Sequence, residues 1–192
     1  EYVAELLLGQ ITDTQDTTGT VLEEREVTVN EAQVREAIES FLGGYDQIPP
    51  MYSALKVNGK KLYELAREGK EVERKARHVD LPAIEILSLD LPVVKFRVEC
   101  SKGTYIRSLC ADIGEKLGCG GTMKSLVRTR VGEFRLAEAL TLGQLQKLRD
   151  TDRLEEALLP TDRIFSDFPG VHVEEKWRKL IDNGNAFYPG QT

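Results

Sequence analysis

The chain has 192 residues, 41% of them hydrophobic, and 26 basic against 32 acidic residues give it a formal net charge of −6. That is enough apolar material for a real core in one large domain, or in one domain with part of a second, while no apolar run has membrane-spanning length and the chain does not open with a basic-then-hydrophobic signal segment. Cys100, Cys110 and Cys119 lack C-x-x-C spacing and read as buried thiols, and His78 and His172 lie far apart, so disulfides, a zinc site and Ser/Cys–His catalysis have little to draw on; a cytoplasmic protein working through Asp, Tyr, Lys or Arg is expected.

Tyr2 to Leu8 reads as a strand broken by Gly9 and followed by the polar run Thr12-Asp13-Thr14-Gln15-Asp16-Thr17-Thr18-Gly19. The run has the Asp spacing of a calcium loop but no closing bidentate acid or flanking helices, which predicts a turn held by Asx-type hydrogen bonds. A strand is expected from about Gly19 to Val27. Asn30 with Gln33 then forms a capping box for a helix whose buried face is Val34, Ala37, Ile38, Phe41 and Leu42, ended by Gly43-Gly44.

Gln47 to Lys56 cannot be helical through Pro49-Pro50 and is predicted to be an extended arm. Asn58-Gly59 supplies a turn, and Lys60 to Glu68 reads as a short basic helix. Prolines and aromatics interleaved with Lys56, Lys60, Lys61, Arg67 and Lys70 suit a groove that packs on a sugar-phosphate backbone; the alternative is a mobile, charged surface hairpin.

Two or three strands are expected between residues 71 and 100, with a chain reversal at Asp90 to Pro92. In the last of them Val94, Phe96, Val98 and Cys100 alternate with Lys95, Arg97 and Glu99. Ile106, Leu109, Cys110, Ile113 and Leu117 then fall on one helical face, and Gly118 stops the helix. With Ser101 or Thr104 as N-cap, Tyr105 and Arg107 sit in the first turn, where free N–H groups, the helix dipole and a guanidinium favour a phosphate or a carboxylate; the alternative, which the local pattern alone favours, is an ordinary strand–helix corner with a surface Arg.

A further strand is expected within Thr122 to Phe134, with Leu126, Arg128 and Arg130 of one parity. Thr141 and Gln144 open a helix through about Arg149, and a short helix follows from Asp152 to Leu159. Charge is uneven along the chain. Residues 56–78 carry eight bases to four acids and residues 122–136 four to one, whereas residues 1–55 carry two to eleven. Two basic islands in an acidic chain are a footprint for a phosphate backbone, or two solvated faces.

Taken in order, Tyr2 ahead of Leu8-Gly9, the Thr-Asp-Thr-x-Asp-x-x-Gly loop, the Ile48–Lys56 arm with Gly59 to Gly69, Ser101–Arg107 and Leu117-Gly118-Cys119-Gly120 resemble the bacterial tRNA pseudouridine synthase B family, which converts uridine 55 of the tRNA T loop to pseudouridine. The similarity covers nearly the whole chain. It implies an α+β pseudouridine synthase fold with a mixed, mostly antiparallel sheet flanked by helices, no cofactor and no metal. It also implies the tRNA T stem-loop as partner, with no membrane, no obligate protein partner and a monomer.

The family's required Asp, in a Gly-x-Leu-Asp-Pro-type loop, lies upstream of the residue matching Tyr2, and no such loop occurs here. The nucleophile is therefore expected on an N-terminal segment outside this sequence, and the chain alone is expected to be inactive. Asp13 and Asp16 match a different motif of the family. The expected domains are 1–165, a catalytic domain lacking its N-terminal part, and 166–192, the start of a PUA-type RNA-binding domain.

By resemblance, Tyr2 matches the active-site tyrosine that stacks on the target base and is a candidate for the last proton transfer, and Arg107 matches the arginine that pairs with the catalytic Asp. Tyr105 and Leu126 match residues lining the uracil pocket; Lys56, Lys60, Lys61, Arg67 and Arg128 are matched to RNA phosphate contacts. Two other readings compete. One is a non-catalytic fragment that binds the tRNA T arm, and the other an unrelated α+β enzyme with an anion site at Tyr105 and Arg107.

Overall fold

In the computed structural model, which describes residues 1–57, 59–186 and 188, the period-two pattern of the first strand governs the layout. Strand β1 (Tyr2–Leu8) buries Ala4, Leu6 and Leu8 and leaves Val3, Glu5 and Leu7 half-exposed, so one face is set to carry the core. It lies between β9 (Val93–Glu99) and β10 (Gly121–Arg128), with β8 (Ala83–Asp90) beyond β9, in the order β10-β1-β9-β8. Every pair in this sheet is antiparallel, and the expected reversal at Asp90 to Pro92 joins β8 to β9. The parallel component is an isolated bridge between Asp16 and Met123.

Two helices cover the apolar face. Helix α1 (Glu31–Glu39) has both capping-box bonds, Gln33 N to Asn30 Oδ1 at 3.0 Å and Asn30 N to Gln33 Oε1 at 2.9 Å, and buries Val34, Ala37 and Ile38. Helix α3 (Ile106–Lys116) buries Ile106, Leu109, Cys110 and Ile113 against Phe96, Val94, Val98 and Leu6. Leu42, expected on the buried face, is 56% exposed, because the helix ends at Glu39 and the turn beyond Ser40 carries it outward. On the opposite sheet face Lys95 pairs with Glu5 at 4.0 Å and Arg97 with Glu85 at 2.6 Å, a solvated arrangement.

The remaining strands frame two projections. Strands β2 (Gln10–Thr12) and β3 (Val21–Glu24) bracket the polar loop, β3 being shorter than the strand expected from Gly19 to Val27. Strands β4 (Tyr45–Gln47) and β7 (Arg77–Val79) pair at the root of the arm, which carries β5 (Lys56–Val57), β6 (Lys60–Lys61) and α2 (Leu62–Arg67). Gly59 of the expected turn has φ +83°, and Asn58 lies outside the described residues. A small hairpin of β11 (Arg130–Val131) and β12 (Phe134–Arg135) follows β10.

The chain divides into two compact units at Ala139/Leu140, upstream of the expected 165/166 boundary. The second unit holds α4 (Leu142–Asp150), capped by Thr141 and Gln144 as expected, and α5 (Arg178–Asp182). Between them the helix expected from Asp152 to Leu159 is a 3-10 turn, Leu154–Ala157, followed by a second at Thr161–Phe165. Phe187 and residues 189–192 lie outside the described residues. Among the described residues no helix is long and apolar enough to cross a membrane.

Candidate active site

The strand-to-helix corner begins where β9 ends. Neither Ser101 nor Thr104 caps α3: Ser101 Oγ accepts from Asp80 N at 3.0 Å and Thr104 Oγ1 donates to Ser101 O at 2.9 Å, both spent on the turn through Gly103. Tyr105 is the N-cap, extended at φ −101° and ψ 108°, and makes no side-chain cap bond. Arg107 is therefore the second helical residue. Its guanidinium, 22% exposed, pairs with Asp16 Oδ2 at 3.4 Å, reaches Thr14 O at 3.5 Å and donates to the carbonyl oxygen of Tyr52 in the arm. The guanidinium at the helix start thus meets a carboxylate of the same chain, Asp16, through its side chain.

Asp16 is fully engaged. Its Oδ1 accepts from Thr18 N at 3.0 Å, Thr18 Oγ1 at 2.5 Å and Thr14 Oγ1 at 3.0 Å, the Asx-type turn the sequence predicts, and its Oδ2 faces Arg107. Burial opposes ionisation of this carboxyl, but the bonds from Thr18 and Thr14 and the Arg107 charge outweigh it and hold the pKa below the usual value. The loop is bolted to β10 by Thr17 N to Met123 O and Met123 N to Gln15 O, both 3.0 Å, and to α3 by the buried Ser108, whose Oγ donates to Gln15 Oε1 at 2.7 Å.

Tyr2 lies directly across the ladder from Arg128. Arg128 Nε donates to the Tyr2 hydroxyl at 3.0 Å, and its guanidinium carbon is 5.3 Å from the ring centroid. Together with Cys100, Ser101, Thr104 and Arg130 they line a cavity of about 380 Å³. Leu126, opposite Ala4 and on the same sheet face as Tyr2, is 40% exposed and does not line that cavity. Tyr105 instead borders a small space beside Gln47, Pro49 and Leu55. The structure thus joins Tyr2 to Arg128, and Arg107 to Asp16 and the arm, without placing Tyr105 and Leu126 in the Tyr2 cavity.

The arm's bases are largely surface groups with internal partners. Lys60 lies 3.7 Å from Glu68, Lys61 Nζ donates to the Tyr63 hydroxyl at 3.2 Å, and Lys61 and Arg67 each sit 5.4 Å from the Tyr63 ring centroid. Lys56 is exposed on β5.

Comparison with known proteins gives the family of the chain. Residues 1–106 match the TruB family pseudouridylate synthase (N terminal domain), and residues 107–166 the tRNA pseudouridylate synthase B C-terminal domain. The chain belongs to the TruB family. It is 50% identical over 183 residues to a tRNA pseudouridine synthase B of Clostridium acetobutylicum, covering 95% of this chain and 62% of that protein. The corresponding protein of Burkholderia lata is 47% identical over 183 residues, covering 95% of this chain and 56% of its own length. The chain thus spans about three fifths of the length of the curated relatives it matches. Among solved structures it resembles the crystal structure of a Cbf5-Nop10-Gar1 complex, with a TM-score of 0.69 at 26% identity over 95% of this chain and 48% of the other. An H/ACA RNP bound to a substrate RNA containing 2'-deoxyuridine shares the fold, with a TM-score of 0.66 at 23% identity over 97% of this chain and 47% of the other. The TruB membership and these neighbours bear out the pseudouridine synthase fold.

Sequence reasoning set Asp16 aside as a loop residue and passed over Gln47 and Ser108. Gln47 had a usable signal: it shares the parity of Tyr45 on a short strand next to prolines, and a polar side chain at an inward strand position must find partners.

Proposed function

We propose that this chain forms the core of a tRNA pseudouridine synthase that isomerises uridine 55 in the T loop, working in the cytoplasm as a monomer without metal or cofactor. The observation that carries this reading is the match of the chain, half identical to proteins named tRNA pseudouridine synthase B, to the TruB family, with Tyr2 held by Arg128 and Arg107 paired with Asp16 as separate contacts.

The reaction breaks the bond between N1 of uracil and C1′ of ribose, turns the base, and joins C5 to C1′; a proton leaves C5 and one is gained at N1, so the formula is unchanged. Tyr2 offers a flat apolar ring for the base and a hydroxyl for the proton transfer. Arg107 is proposed to hold a carboxylate ionised and aimed. Asp16 is a poor nucleophile, because its oxygens are occupied by Thr14, Thr18 and Arg107. Asp16 is accordingly not proposed as the nucleophile. Tyr105 and Leu126 are proposed to close on the base once RNA is bound, and Lys56, Lys60, Lys61, Arg67 and Arg128 to contact phosphates. The target uridine must be flipped out of its loop, at a cost of a few kcal/mol that such contacts offset, roughly. Residues 166–192, which meet the matched C-terminal region at residue 166, are proposed to begin the PUA-type domain.

Tritium release from C5-labelled uridine in a T-arm hairpin tests the reading. Release by the full-length protein is the expected result. Salt-sensitive hairpin binding without release would favour the non-catalytic T-arm binder, and absence of both would overturn the reading.

A further inference from the structure

Gln47, 2% exposed at the root of the arm, bonds the start of α3 with both ends of its side-chain amide. Its Oε1 accepts from Tyr105 N at 2.8 Å, and its Nε2 donates to Tyr105 O at 3.0 Å and to the Tyr45 hydroxyl at 2.6 Å. The Tyr45 hydroxyl in turn donates to Asp112 Oδ2 at 2.6 Å. One side-chain amide therefore pairs the extended Tyr105 backbone on both sides, as a residue of a neighbouring strand would.

Each link admits one orientation. An ionised Asp112 only accepts, so Tyr45 donates to it; the Tyr45 oxygen then accepts from the Gln47 NH2 group, and the amide is left with its oxygen toward the Tyr105 N–H. Asp112 stands on α3 itself, five residues beyond Arg107, so the chain of bonds closes on the helix it positions. The next residues after Gln47 are Ile48-Pro49-Pro50, and the arm returns to the same helix start where Arg107 donates to the Tyr52 carbonyl.

We propose that Gln47 is a positioning residue: oriented by Asp112 through Tyr45, its amide fixes the Tyr105 backbone and thereby aims Arg107 at Asp16 and at the arm. The effect on rate rests on the pseudouridine synthase reading given above; the effect on Tyr105 and Arg107 does not.

The test uses the full-length protein with Gln47→Met, which keeps the side-chain length and removes all three bonds, and Tyr45→Phe, which releases the amide while leaving it in place. Amide hydrogen exchange is read at Tyr105, with Leu109 as the internal reference. Gln47→Met is expected to speed exchange at Tyr105 at least about tenfold and leave Leu109 unchanged, with a smaller change in the same direction for Tyr45→Phe. Single-turnover tritium release from the hairpin is expected to fall by about tenfold or more with hairpin affinity held within about twofold, the signature of a displaced group and not of a lost fold. In an Arg107→Lys background the Gln47→Met loss should largely disappear, since both changes then act on one interaction. Unchanged Tyr105 exchange overturns the proposal, as does a rate loss matched by equal losses of affinity and thermal stability. A wild type that releases no tritium defeats the functional reading alone, because the exchange measurement still decides this one.

Discussion

Arg128 meets Tyr2 in two ways at once: its Nε donates to the phenol oxygen at 3.0 Å while its guanidinium carbon lies 5.3 Å from the ring centroid. The two residues are opposite one another on β10 and β1, so the contact is set by sheet register and not by a flexible loop. Arg128 thus serves the tyrosine while lining the same cavity as Arg130.

The proposed phosphate contact of Arg128 and its hold on Tyr2 are separable by substitution. Arg128→Ala should weaken T-arm hairpin binding and lower the slope of log affinity against log salt by about 0.7–0.9, the share of one phosphate contact. Arg128→Lys should keep the slope and still slow isomerisation, because an ammonium cannot reproduce the planar contact with the phenol. Filter binding across a salt series, beside single-turnover rates, measures both. An unchanged slope for Arg128→Ala would remove Arg128 from the phosphate contacts.

The Arg107–Asp16 pair is only partly buried, with side-chain exposures of 22% and 17%. Asp16→Asn is therefore expected to cost about 1–2 kcal/mol in urea unfolding, between the range of surface pairs and that of fully buried ones. Asn retains an oxygen for the Thr18 and Thr14 bonds, so the loop should keep its path and Arg107 should lose the charge that anchors it. A loss below about 0.5 kcal/mol would mean that the pair is effectively solvated.

The same carboxyl sets an acid limb. The folded-state pKa of Asp16 lies below the ordinary 3.8 despite the opposing effect of burial, owing to the Thr18 and Thr14 bonds and Arg107, so as pH falls the unfolded chain takes up the proton first. Its stabilising contribution is fully present above about pH 4 and is lost as pH falls through the folded-state value. Asp112 runs the other way: burial raises its folded-state pKa against the lowering effect of the Tyr45 bond, so the folded protein binds that proton first and regains stability on acidification. Urea midpoints followed from about pH 6 to pH 3 should fall less steeply for Asp16→Asn than for the wild type. A steeper fall would give the acid limb to other carboxylates.

Much of this was legible in the residues. The alternation of Val94, Phe96 and Val98, the helical face from Ile106 to Ile113 and both Asn30/Gln33 and Thr141/Gln144 capping boxes follow local periodicity and side-chain geometry, which operate within a few residues. The corner holding Tyr105 and Arg107 was visible for the same reason. The partner of Arg107 was not, since Asp16 lies 91 residues away and no local pattern selects it. The N-cap was misplaced because Ser101 and Thr104, both good capping residues by type, are drawn into the Gly103 turn by Asp80 and by each other. The parity of Gln47 with Tyr45 marks it as inward, but nothing nearby in sequence shows that its amide meets Tyr105, 58 residues on.

Helix α3 lies against β10 through two glycines, and this contact yields the sharpest stability prediction. A Cβ at Gly114 would sit 2.1 Å from Gly121 N and 2.3 Å from Gly120 C, both backbone atoms, and no rotamer change can relieve that. Alanine ordinarily gains about 1 kcal/mol over glycine inside a helix, so the sign of the Gly114→Ala change reports whether backbone contact or helix propensity governs the site. Contact should win, with a loss of about 3 kcal/mol or more, because separating helix and sheet also uncovers Leu109, Cys110 and Ile113. Gly143 in α4 is the control: a Cβ there meets nothing within 4 Å, so Gly143→Ala should be neutral or stabilising by up to about 1 kcal/mol. Thermal unfolding of the two variants beside the wild type decides it. A more stable Gly114→Ala protein would mean that α3 stands off the sheet farther than the Gly114–Gly121 contact requires, and Arg107, carried on the same helix, would not be held where it meets Asp16.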